Sequence, residues 1–100
     1  MLRQLTLIRF PVEVERQQIN AIFNAFNQLK KHTMGVMNLT YGDVLSTVDN
    51  GYTHVVTLDF ADQEYLREFT RHAKYLELCQ RLTHLLEDVT HLQQTVYQIR

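Results

Sequence analysis

The sequence predicts an α+β domain in which a four-stranded antiparallel sheet carries its helices on one face. Three observations lead there. Stretches that alternate with period two bracket stretches whose apolar residues recur every three or four positions. They follow in the order β-α-β-β-α-β. And 100 residues, 45% hydrophobic and 21% charged, are the size and make-up of a single domain over 1–100 with one core.

Residues 2–10 read as the first strand, stopped by Pro11. Its even positions are Leu2, Gln4, Thr6, Ile8 and Phe10, and its odd positions Arg3, Leu5, Leu7 and Arg9. From Val14 to His32 the period changes, and Ile19, Ile22, Phe23, Phe26 and Leu29 form one apolar stripe of a helix. Met34 to Gly42 is the second strand, weakened by Gly35. Asp43 to Gly51 is the connection, with Ser46, Thr47 and Asp49, and Asn50-Gly51 supply the positive φ of a turn. Tyr52 to Phe60 is the clearest strand, with Tyr52, His54, Val56, Leu58 and Phe60 on one face.

Asp62 is placed to cap the second helical stretch. This stretch buries Leu66, Phe69 and Ala73, then Tyr75, Leu78, Leu82 and Leu85. With neither Gly nor Pro inside it, one bent helix and two short ones both fit. Val89 to Ile99 is the last strand, with His91, Gln93 and Thr95 on one face. Short connections and right-handed crossovers turn this order into the ferredoxin-like arrangement.

Two helices cover one side of such a sheet. With Ile8, Phe10, Val56, Leu58 and Phe60 facing them, the other side carries Leu5, Leu7 and Val55, and Arg3 lies near Asp59. Each Leu or Val fully buried is worth roughly 1.5–3 kcal/mol. A two-fold dimer packing sheet on sheet is the expected way to cover them.

Charge narrows the partners. The formal net charge is −1 with a pI near 6.5, and the basic residues are scattered apart from Lys30-Lys31. No nucleic acid or anionic membrane is expected as a partner. No stretch approaches the roughly 18 apolar residues of a membrane span, and the opening residues are strand-like, so a cytoplasmic location is expected. Cys79, the single cysteine, sits among leucines and reads as a buried, inert thiol. Phosphate-binding glycine loops and nucleophile elbows are absent, and the five histidines lack metal-ligand spacing; neither a cofactor nor a metal is expected. His32 ends the first helix, where a cation is favourable, and His84 with Asp88 is a surface pair. His54 differs. It interrupts the apolar face of the strongest strand, either as a neutral buried imidazole or as a polar group that orients or deprotonates a ligand. Tyr41, Tyr65, His72 and Tyr75 could share its space.

Gly51-Tyr52-Thr53-His54-Val55-Val56, Leu58-Asp59-Phe60, the stretch Leu66 to His72 and the opening Arg3 to Phe10 resemble the stress-responsive A/B barrel (Dabb) family. The resemblance spans nearly the whole chain. It implies a ferredoxin-like homodimer whose sheets pack into a shared dimeric α/β barrel, stress-response roles for some members, and in a polyketide-cyclising branch an active site between sheet and helices. Against that branch, His54 matches and His72 keeps the first histidine of its His-Pro-x-His helix motif. Tyr75 stands at the acid/base histidine, Phe69 at its tyrosine and Gln4 at its first-strand histidine. Of the four polar cleft positions one is unchanged, and a tyrosine titrating near 10 is a poor base, which speaks against cyclase chemistry. The ligand-cleft candidates are thus His54, Tyr75, His72, Phe69 and Gln4, and the dimer-face candidates Leu5, Leu7 and Val55. The leading expectation is a Dabb-like homodimer, non-catalytic or of uncharacterised biochemical role, that binds a small apolar or phenolic ligand beside His54. The alternatives left open are a cofactor-free cyclase or monooxygenase and a purely structural module.

Overall fold

A computed structural model describes residues 1–45, 51–86 and 91–100. In chain order it contains β1 (Leu2–Ile8), α1 (Arg16–His32), β2 (Val36–Asp43), β3 (His54–Phe60), α2 (Gln63–Arg71), α3 (Ala73–Leu86) and β4 (Leu92–Gln98). The strands form one antiparallel sheet in the order β2-β3-β1-β4, the ferredoxin-like topology. Ser46, Thr47, Asp49 and Asn50 of the expected turn, Asp88 and Val89 lie outside the described residues.

The core is the layer between sheet and helices. Ile8, Val56, Leu58 and Phe60 from the sheet meet Ile22, Phe23, Phe26 and Leu29 of α1 and Phe69, Leu78, Leu82 and Leu86 of the later helices, all at most 5% exposed. The face assigned from alternation is therefore the face that is buried. β1 pairs β3 with Arg3 opposite Asp59, Leu7 opposite Val55 and Ile8 opposite His54.

α1 begins at Arg16, two residues later than its periodicity starts. Pro11 opens a turn closed by Val14 N–H donating to the Pro11 carbonyl (3.0 Å), and Glu15 N–H donates to Gln18 Oε1 (2.8 Å) at the helix entry. The helix ends at His32 with Lys30 and Lys31 beside its carbonyl dipole, and Thr33 Oγ1 donates to Leu29 O at 2.9 Å. Gly35 then needs its lack of a side chain twice over. Its φ is +82°, and a Cβ there would collide with the side chain of Tyr65.

The second helical stretch breaks at His72, which is extended (φ −65°, ψ 135°). Asp62 caps α2 by accepting Tyr65 N–H at 3.2 Å, and His72 caps α3: its Nδ1 accepts Lys74 N–H at 3.1 Å and its carbonyl accepts Tyr75 and Leu76 N–H. The break resets the helical phase. Ala73, expected in the core, is exposed as the first residue of α3, and Leu86 is the deeply buried residue of the last turn while Leu85 is half-buried. His91, read as part of the last strand, precedes β4 and donates from Nδ1 to the Leu86 carbonyl at 3.1 Å.

Candidate functional site

The expected cleft residues separate into two places. Gln4, Phe69 and Tyr75 come together beneath α2 and α3. Phe69 is fully buried, its ring 5.2 Å from Phe60 and 5.0 Å from Tyr75. Tyr75 is 7% exposed and Leu78 3%, so aromatic and leucine side chains fill this space. Its polar atoms satisfy one another. Gln94 Nε2 donates to Thr6 Oγ1 at 3.2 Å and to Tyr75 Oη at 3.5 Å, and Gln4 bonds the same phenol. Burial pushes the Tyr75 hydroxyl above its ordinary range, ahead of the lowering by Gln94, so it stays a neutral phenol at physiological pH. Cys79 beside it is half-buried rather than fully buried, and desolvation raises its thiol as well.

His54 stands elsewhere. Its β1 partner is Ile8, whereas Leu58 is the partner of Gln4. Four strand residues, about 13 Å, separate the two places along the sheet. His54 is held edge-on by Phe10 (5.1 Å, 78°) and lies 5.7 Å from Phe23, whose other neighbour is the stacked ring of Tyr41. Nδ1 meets Thr53 Oγ1 at 2.7 Å, and Nε2 lies 3.3 Å from Asp43 Oδ1, the last residue of β2 and its partner in register. The Thr53 hydroxyl also donates to the Ile8 carbonyl at 3.2 Å, which ties the group beside Nδ1 to β1. Desolvation lowers the His54 pKa, against the opposing pull of Asp43 and together with Arg16, so the imidazole is neutral at pH 7.

A cavity of about 280 Å³ opens beside it, lined by Val14, Arg16, Ile19, Asn20, Phe23, Asp43 and His54. Periodicity does not reveal Arg16, Asn20 and Asp43 as neighbours of His54. Their signal is positional: Arg16 and Asn20 are four apart on the first turns of α1, and Asp43 ends β2 where a hairpin brings it across from His54. His72 belongs to neither place; its imidazole is the α3 cap. Among the described residues no three His, Cys, Asp or Glu side chains converge to hold a metal ion, and no helix is long and apolar enough to cross a membrane.

On the opposite face of the sheet, Leu5, Leu7 and Val55 are half-buried neighbours. Beside them Arg3 Nε and Nη2 donate to the two carboxylate oxygens of Asp59 at 2.7 and 3.0 Å, the pairing expected from the register. This fork holds Asp59 below its usual carboxylate range and Arg3 above its own.

The sequence matches the model of the stress responsive A/B barrel domain over residues 2–95. The chain belongs to the Dabb family. Solved structures with the same fold include an Arabidopsis thaliana protein (18% identity, TM-score 0.87, covering 100% of this chain and 96% of the other). Another is a dimeric ferredoxin-like protein of unknown function from Thermobifida fusca (17%, 0.79, 98% and 90%). A third is a hydroxynitrile lyase from Passiflora edulis (17%, 0.86, 99% and 93%). No curated protein matches the sequence. At these identities the structures share the Dabb chain's fold, and their activities remain their own.

Proposed function

We propose that this Dabb domain is a homodimer that binds a small ligand in the cavity beside His54. The observation that carries the ligand reading is the environment of His54: a neutral imidazole, oriented through both nitrogens by Thr53 and Asp43, at the wall of an open cavity with Phe23. Val14, Ile19 and Phe23 give this recess an apolar wall and Arg16, Asn20, Asp43 and His54 a polar one, and small-molecule sites are concave places where such groups converge. The homodimer is supported by the apolar centre Leu5, Leu7 and Val55 on the uncovered face, and by relatives described as dimeric.

Phenol is a fitting probe, with an aromatic body for Phe23 and one hydroxyl for His54. Titrated into ¹⁵N-labelled protein, it is expected to shift the amides of Asn20, Phe23 and His54, and His54→Ala is expected to abolish those shifts. Shifts centred on Gln4, Phe69 and Tyr75 would place the ligand in the other cleft, and shifts unchanged by His54→Ala would remove His54 from the site.

The filled space around Phe69, Tyr75 and Leu78 favours a second reading, a structural module whose dimer face is its function. Absence of any localised shift with phenol supports that reading. In the enzymatic alternative, a cyclase or monooxygenase, the base would be His54, because the Tyr75 hydroxyl is driven away from ionisation.

A further inference from the structure

The cavity beside His54 presents both signs of charge. Arg16, at the start of α1, and Asp43, at the end of β2, line it together with Asn20, Ile19 and Phe23 of α1. Among the described residues the ion pairs are Arg3–Asp59 and Arg67–Glu64, the neutral His54 only approaches Asp43, and Arg16 and Asp43 form no pair with each other. His54 engages one oxygen of Asp43, and Asp43 is exposed, so its carboxylate remains open to a second donor. A neutral imidazole leaves that negative charge uncancelled.

These features sort ligand classes. A purely anionic ligand meets Asp43, and a purely cationic one meets Arg16. A neutral apolar ligand covers both charges without bonding either, which is unfavourable. A molecule with one charge of each sign satisfies both. We propose that the ligand of this cavity is a small zwitterion of the α-amino acid class, its carboxylate on Arg16, its ammonium on Asp43 and its side chain against Phe23 and Ile19. This rests on the reading that the His54 cavity is the ligand site.

The test compares L-leucine, N-acetyl-L-leucine and L-leucinamide by the amide shifts of Asn20, Phe23 and His54 in the full chain. L-Leucine is expected to bind at least tenfold more tightly than either blocked compound. Arg16→Gln is expected to erase its advantage over the amide, and Asp43→Asn its advantage over the acetylated form. Equal binding of the three compounds, or binding of phenol at these amides without binding of L-leucine, overturns the zwitterion proposal and leaves the site standing. No shift at these amides with phenol or with any leucine derivative overturns both. Circular dichroism of each variant separates loss of binding from loss of fold.

Discussion

Replacing Leu7 with lysine tests the outer face of the sheet. Leu7 lies across from Val55 on β3 and Gln93 on β4, and it is already half-buried within one chain. About half of the 1.5–3 kcal/mol for burying a leucine is thus left for a partner to supply, or about 1 kcal/mol per protomer. Two-fold symmetry doubles this to about 2 kcal/mol, and bringing two lysine charges to an apolar interface adds about 1 kcal/mol more. A total of about 3 kcal/mol weakens the dimer on the order of 100-fold. Sedimentation over a dilution series measures it: wild type should remain dimeric at concentrations where Leu7→Lys is monomeric, with the far-ultraviolet dichroism unchanged. A dissociation constant that moves less than about threefold would refute the assignment of this face. Leu76, exposed on α3, is the control site, where lysine should leave the dimer intact.

Three further outcomes follow from the fold. His72→Ala removes the side-chain cap of α3 and should cost about 1 kcal/mol, a fall in Tm of about 4–8 °C, with His72→Ser restoring most of it. Gly35→Ala combines a positive φ with collision against Tyr65 and should cost more than about 2 kcal/mol by urea unfolding; adding Tyr65→Ala should recover part of this loss, and a strictly additive pair would deny the contact. The pH profile carries the third. The His54 pKa is depressed below 6.5 in the folded chain, so below pH 6.5 the unfolded chain binds the extra proton first. Stability then falls as the pH drops from 6.5 to the folded pKa and levels off below it. Urea titrations should show this slope in wild type and its loss in His54→Phe.

Some of this was legible in the residues because it depends on local pattern or on strand pairing alone. Alternation identified the faces of β1 and β3, antiparallel pairing then put Arg3 against Asp59, and Asp62 before an apolar-periodic stretch marked a cap. The break at His72 was not, since no proline or glycine signals it and the cap is an imidazole nitrogen, outside the usual capping residues. Gly35 reads as a flaw in a strand until Tyr65, thirty residues on, is seen packed over it. The neighbours of His54 depend on the register of β2 against β3. A connection of that length does not fix register, so Asp43 read as the start of a loop.

The central claim is that a ligand reaches His54 rather than the space around Tyr75. Intermolecular nuclear Overhauser effects from bound phenol measure this directly. Contacts to the ring protons of His54 and Phe23 are predicted; contacts to Phe69 and Tyr75 instead would contradict the account.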